Sequence, residues 1–161
     1  MALGSDKTAT AAAVENGRDA ELDYGALADL LGYQLRRAQV AAYQNFANVL
    51  AGLNISPGQV GVLALVQANP GINQTRVGNA LGIDRSTLVA VIDRLEERDL
   101  VARTPSPTDR RSHALMLTEA GAGYLEKLLP RLDEHERQIA VGLGDRERSA
   151  LIELLSRVAM D

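Results

Sequence analysis

Gly82-Ile-Asp-Arg-Ser-Thr-Leu-Val-Ala-Val-Ile-Asp-Arg-Leu-Glu-Glu-Arg-Asp-Leu100 runs on into Val101-Ala-Arg-Thr-Pro-Ser-Pro-Thr-Asp-Arg-Arg-Ser-His-Ala-Leu-Met-Leu-Thr118, with Gly121 three residues further on. Gly82 provides a tight turn, and Asp84 can cap a helix over 85 to about 98 by accepting from the free amides of its first turn. Strands follow at about 100–104 and 112–117, joined by Pro105-Ser106-Pro107-Thr108-Asp109. Arg110 and Arg111 stand at the tip. A turn, a capped helix and a basic-tipped hairpin, in that order, make the geometry of a winged helix-turn-helix. The fold expected is mainly α with a small β-hairpin wing.

Working outward, the punctuation stays regular. A first long helix is expected from about Tyr24 to Ala51, stopping near Gly52. Ser56 before Pro57 is a start signal, a cap followed by a first-turn proline, for a second helix that ends before Pro70-Gly71. Asn73 can cap a short third helix through Leu81. Thr118 can cap a long helix, bent at Pro130 and ended by Gly142 and Gly144, after which Asp145 caps a last helix to about Met160. Residues 1–22 are rich in Ala, Thr, Gly, Asp and Glu and read as a disordered tail. Residues 23–161 read as one domain.

At 100° per residue, Leu88, Val91, Ile92 and Leu95 of the fourth helix share one sector, which must face a core. Opposite lie Ser86, Ala90 and Asp93, with Val89 nearby and Arg85 and Arg94 on the shoulders. A small-residue face flanked by arginines suits a major groove, where hydroxyls reach base edges and methyls meet thymine. Taken alone, the same pattern fits an ordinary solvated helix face. The turn before it and the hairpin after it favour the groove. The candidate DNA-binding set is therefore Asn73, Gln74 and Thr75 at the start of the third helix, Arg85, Ser86, Thr87, Val89, Ala90 and Arg94 on the fourth, and Asp109, Arg110 and Arg111 on the wing.

Asp109-Arg110-Arg111, followed by a strand ending Leu117-Thr118 and then Gly121, resembles the most specific signature of the MarR family of bacterial transcription regulators. The resemblance spans roughly residues 28–160. It implies that Arg111 enters the minor groove with Asp109 orienting it. It also implies that the helices at about 24–51 and 118–160 build a homodimer, with the winged helix-turn-helix at about 55–118. Two recognition helices would then lie about 34 Å apart and face a pseudo-palindrome of double-stranded DNA. Asp99 departs from the family, which usually has Gly there because that helix end needs a left-handed residue.

Charge does not advertise the function. The net charge is −4, and Asp84 to His113 holds six arginines against six acids, so any DNA surface must arise by segregation in space. With no cysteine, disulfides, thiolate nucleophiles and Cys-based zinc sites are excluded, as is the branch of the MarR family that senses peroxide through cysteine. No basic signal peptide is visible, so a cytoplasmic protein is expected.

The first helix carries the best clue to a ligand. Leu31, Leu35, Ala38, Ala42, Phe46 and Val49 form a stripe expected to face the core; Tyr33, Arg36, Arg37, Val40, Tyr43 and Gln44 form the other. No acid occurs between Leu30 and Ile83. Tyr33, Arg36, Arg37 and Tyr43 suit an anionic, aromatic effector. The family resemblance implies phenolic acids or their CoA thioesters. Glu126, Asp133, Glu134 and Glu136 could instead pair with the two arginines, and both readings stay open.

Enzymatic readings fail on inventory. His113 and His135 lack metal-ligand spacing and read as surface or packing histidines, and Gly121-Ala122-Gly123 lacks the strand-turn context of a phosphate loop. No catalytic residue, metal or cofactor is expected. Two classes remain: a homodimeric repressor released from its operator by a small ligand, and a constitutive or architectural DNA-binding protein of the same fold.

Overall fold

The computed structural model describes residues 22–105 and 113–158, and they divide between Ala38 and Gln39 into two compact units. In the first, a 3-10 helix at Gly25–Asp29 precedes the start of helix α1 (Leu31–Val49), whose residues from Gln39 on belong to the second. The helix expected from Tyr24 therefore begins later. Gly25 is left-handed (φ 51°), and Leu30 is extended (ψ 117°), which interrupts the helical ladder between the two segments. Asp23 accepts from the Gly25 N–H at 2.8 Å. None of residues 22–38 is buried.

The second unit holds the remaining elements: α2 (Pro57–Ala68), β1 (Ile72–Asn73), α3 (Gln74–Leu81), α4 (Arg85–Glu97), β2 (Val101–Pro105), β3 (His113–Leu117), α5 (Glu119–Ile139) and α6 (Asp145–Arg157). Their starts follow the caps read from the sequence. Ser56 accepts from Gln59 N–H while the Gln59 side chain accepts from Ser56 N–H, a complete capping box. Asn73 accepts from Arg76 N–H at 2.9 Å, and Thr118 from Gly121 N–H at 2.9 Å. At the last helix the expected cap shifts by one residue. Gly144 is the N-cap and Asp145 the first helical residue, because Glu147 reaches back to accept from Gly144 N–H at 2.8 Å.

The sheet is antiparallel with order β1-β3-β2, one strand more than the hairpin expected. Ile72 pairs with Leu115 and Asn73 with Ala114. A two-residue strand carries too little periodicity to be read from sequence. In the hairpin, Val101 faces Leu117 and Pro105 faces His113. The wing tip, including Asp109, Arg110 and Arg111, lies outside the described residues, as do the tail residues 1–21 and Met160.

One core serves the second unit. Val62, Leu63 and Val66 of α2, Val77 of α3, Leu88, Ile92 and Leu95 of α4, Leu115 of β3, and Leu125 and Leu128 of α5 are buried together with Phe46, Val49 and Leu50. The stripe expected on α1 reaches this core only at its end. Phe46 and Val49 are buried, Leu35 and Ala42 half-buried, and Leu31 and Ala38 exposed. Periodicity shows which face of a helix is apolar but not what covers it. No described helix is long and apolar enough to cross a membrane.

Two tight contacts set the pose of α4. At its end, Leu100 N–H donates to Leu95 C=O and Asp99 N–H to Glu96 C=O, with Asp99 left-handed at φ 54°. That is a Schellman ending, with Asp in the place that favours Gly. Just beyond, α5 starts against the Leu100 backbone. A Cβ on Gly121 would stand 1.9 Å from the Leu100 carbonyl oxygen, so only glycine fits. Thr118 also donates its hydroxyl to the Asp99 carbonyl.

Candidate nucleic-acid interface

α3 and α4 are joined by Gly82, which is left-handed (φ 61°) and ends α3 as Ile83 N–H donates to Gly78 C=O at 3.0 Å. The close crossing needs a small residue at Gly78, where a Cβ would lie 3.2 Å from Ile83 O and 3.3 Å from a Leu88 methyl. This turn places the start of α3 beside the start of α4. Asn73, Gln74, Thr75, Asn79, Arg85 and Val89 line one hollow of about 430 Å³, with His113 at the foot of the wing on its rim. Sequence reasoning missed His113 as a member of this surface. Only its pairing opposite Pro105, at the loop end of the hairpin, brings it there.

The expected core face of α4 is the core face found: Leu88, Ile92 and Leu95 are buried and Val91 half-buried. Arg85, Ser86, Thr87, Val89, Ala90 and Arg94 are exposed. Arg85 and Val89 line the hollow, and Ser86, Thr87 and Ala90 lie on the same exposed face of the helix. Arg94 lines a separate cleft of about 690 Å³ with Arg98, Phe46, Leu50, Ser56 and Gln59. At the end of that cleft Arg98 donates to the carbonyl of Asn54 at 2.6 Å and lies 4.9 Å over the ring of Tyr124, whose hydroxyl donates to Leu53 C=O at 2.7 Å.

Asp84 does more than end a turn. One carboxylate oxygen accepts from the backbone N–H groups of Ser86 and Thr87, both at 3.0 Å, and from the Ser86 hydroxyl at 2.6 Å. The other accepts from the Thr87 hydroxyl at 2.6 Å. Donation from the Ser86 hydroxyl, then from that of Thr87, holds the Asp84 carboxyl well below the usual carboxylate range. The two hydroxyls thus present their lone pairs outward. With their protons committed to Asp84, they can accept from an outside donor but not donate to an outside acceptor.

Outside the lining of the hollow, Arg103 of β2 binds two carboxylates of α4 at once. Its guanidinium meets Asp93 at 2.6 Å and Glu96 closely, and its own N–H donates to Glu96 at 2.9 Å. Asp93, expected on the reading face, is held toward the wing strand.

Of the residues considered for a ligand, Tyr33 is half-buried and Arg36 and Arg37 are exposed in the first unit. The Arg37 guanidinium lies 5.8 Å from the Tyr24 ring centre and 5.9 Å from that of Tyr33, within cation–π range of both. Tyr43, in the second unit, is exposed. Glu134 and Glu136, considered as partners for those arginines, pair with Arg137 and Arg148. His135 packs as expected: it is buried, edge-on to Phe46 at 5.5 Å, with Nδ1 2.7 Å from the Asn45 side-chain oxygen.

A short helix, a left-handed glycine turn, a capped second helix over a shared core and a following hairpin define a winged helix-turn-helix protein. Residues 52–112 match the sequence model of the MarR family. A putative transcriptional regulatory protein for the hcr operon of Thauera aromatica is 38% identical over 140 residues, 86% of this chain and 84% of that one. The chain belongs to the MarR family of transcriptional regulators. Among solved structures, the transcriptional repressor CouR bound to a 23-mer DNA duplex is 43% identical with a TM-score of 0.82, covering 88% of this chain and 100% of that one. CouR bound to p-coumaroyl-CoA is 41% identical with a TM-score of 0.78, covering 88% and 99%.

Proposed function

We propose that this chain is a homodimeric repressor that reads a pseudo-palindromic operator with α4 and the wing. A small anionic ligand, a phenolic acid or its CoA thioester, releases it. The observation that carries this reading is the likeness, over 88% of the chain, to a repressor seen both on a DNA duplex and with an aromatic acyl-CoA. The hollow holding Asn73, Gln74, Thr75, Arg85 and Val89 supports the DNA half, with Ser86, Thr87 and Ala90 exposed on the same helix and Asp109, Arg110 and Arg111 supplied by the wing. Arg94 takes the role of a backbone contact at the edge of the surface.

Self-association is supported by apolar side chains left outside any core. Leu151, Ile152, Leu154, Leu155 and Val158 of the last helical segment are exposed, as are Val141 and Leu143 before it. A solvated row of this kind is costly, and a second copy would cover it. The domain reading follows: dimerisation helices on either side of a winged helix-turn-helix.

Tyr33, Arg36, Arg37 and Tyr43 serve the effector in this reading. Charge-assisted contacts to a ligand anion contribute roughly 1.5–3 kcal/mol, about ten- to a hundredfold in affinity. The test is a titration of protein bound to its own upstream DNA with aromatic acids and their CoA thioesters. Release by one of them, lost in an Arg36→Ala, Arg37→Ala variant that still binds DNA, is the expected result. A duplex that no compound of the panel displaces would favour the constitutive DNA-binding protein.

A further inference from the structure

Resting on the DNA-reading role above, we propose that Arg103 is a positioning residue for DNA binding. It masks the two carboxylates that α4 would otherwise turn toward phosphates, and it ties the wing strand to the reading helix.

The geometry is a two-armed clamp. One arm of the guanidinium meets Asp93 at 2.6 Å, the other meets Glu96, and the Arg103 backbone N–H donates to the second Glu96 oxygen at 2.9 Å. The planar fork of arginine can serve two carboxylates at once; a lysine ammonium cannot hold both in fixed directions. Asp93 and Glu96 are one turn apart on α4, so the clamp fixes a line along the helix rather than a point. Arg103 itself is mid-strand in β2, opposite Leu115 of β3, and its side chain is 21% exposed against 49% for Asp93.

The charge consequence follows from position. α4 carries Arg85 and Arg94 against Asp93, Glu96 and Glu97. Without Arg103 the helix would present more negative than positive charge to a polyanion. With it, three cations stand against three acids, and two of those acids are paired with a cation on the wing strand. The wing strand is thereby held at the helix by its main chain as well as its side chain. This is how a segment with as many acids as arginines can avoid presenting a surplus of negative charge, leaving Arg85 and Arg94 unopposed by the paired acids. The segregation is made by pairing, not by composition.

The test uses fluorescence anisotropy with a labelled duplex taken from the chain's own upstream region and a scrambled duplex of equal composition, over a series of salt concentrations. Arg103→Gln should weaken binding to both duplexes at least about tenfold, since the freed carboxylates repel every sequence alike. The triple variant Arg103→Gln, Asp93→Asn, Glu96→Gln should recover most of that loss. An arginine that merely stiffened the fold would not be rescued by removing its partners. The pair Asp93→Asn, Glu96→Gln, which leaves Arg103 unmasked, should bind more tightly than wild type with a steeper salt dependence.

Arg103→Gln binding within about twofold of wild type would overturn the proposal. So would a triple variant as weak as the single one, or a carboxylate-free pair that gains nothing. The pair decides the matter even if Arg103→Gln fails to fold. A wild-type protein that binds neither duplex would strike the DNA-reading role itself, a separate result.

Discussion

α4 and α6 are each 13 residues long, and their fates are opposite. α4 buries Leu88, Ile92 and Leu95 and shows its polar face to solvent. α6 buries nothing, and Leu151, Ile152, Leu154 and Leu155 stand 43–54% exposed. Both patterns are amphipathic. The difference lies in what comes to meet the apolar side: α4 finds α2, α3 and the sheet within its own chain, while α6 finds no core there. In the proposed function α4 must hold one pose in each copy, whereas α6 keeps its apolar face for a second copy.

The largest test of that contrast is a matched pair. Ile92→Ala should cost about 2–5 kcal/mol, with a loss in Tm that does not depend on protein concentration. Leu155→Asp should leave the chain's own core intact and instead shift sedimentation from dimer toward monomer. If Leu155→Asp lowers Tm as much as Ile92→Ala at every concentration, the face is covered within one chain and the contrast fails.

Gly121→Ala comes next. The added methyl meets a backbone oxygen, which cannot rotate away, so α5 must shift from Leu100. A loss of about 1–3 kcal/mol or more is expected in denaturant unfolding, with duplex affinity falling too because the shift moves the end of the reading helix. A variant as stable as wild type would show that this junction is looser than its geometry.

Acid tests two carboxylates, one at the start of α4 and one within α5. Asp84 in the folded chain ionises below its ordinary value, and so does Glu134, held down by Gln138 and then Arg137. Folded carboxyls depressed in this way lend stability that is complete above the unfolded value near about 4 and is lost as pH falls through and below it. Circular dichroism should show unfolding eased below about pH 4. Asp84→Asn, which keeps one capping oxygen but loses the charge and the acceptor for the Thr87 hydroxyl, should reduce that dependence and give up part of the neutral-pH stability. An unchanged acid limb would remove Asp84 from the account.

The smallest effect belongs to Asp99. Glycine at this left-handed position relieves strain but adds freedom to the unfolded chain, so Asp99→Gly should stabilise by at most about 1 kcal/mol. A destabilised Asp99→Gly would mean that its side chain has a role beyond the turn.

The helix starts at Ser56, Asn73, Asp84 and Thr118 were legible because a cap is a bargain among four neighbouring residues, with nothing distant needed. Asp99 as a left-handed ending was legible for the same reason. At Asp145 the local signal misled, since Glu147 closes the turn on Gly144 instead. The core face of α4 was legible from period alone.

What the sequence determined by itself, then, is local order: caps, turns, the apolar side of each helix and the signature that marks the family. Tertiary structure decided what those pieces meet. Only packing could add Ile72–Asn73 to the hairpin as a third strand, bring His113 beside Arg85, separate Arg94 into another cleft and close Arg103 on Asp93 and Glu96. The physical reason is range. Hydrogen bonds within a turn are specified by residues two to four apart, whereas a side chain's partners across a sheet or a helix crossing depend on where the whole core places the backbone.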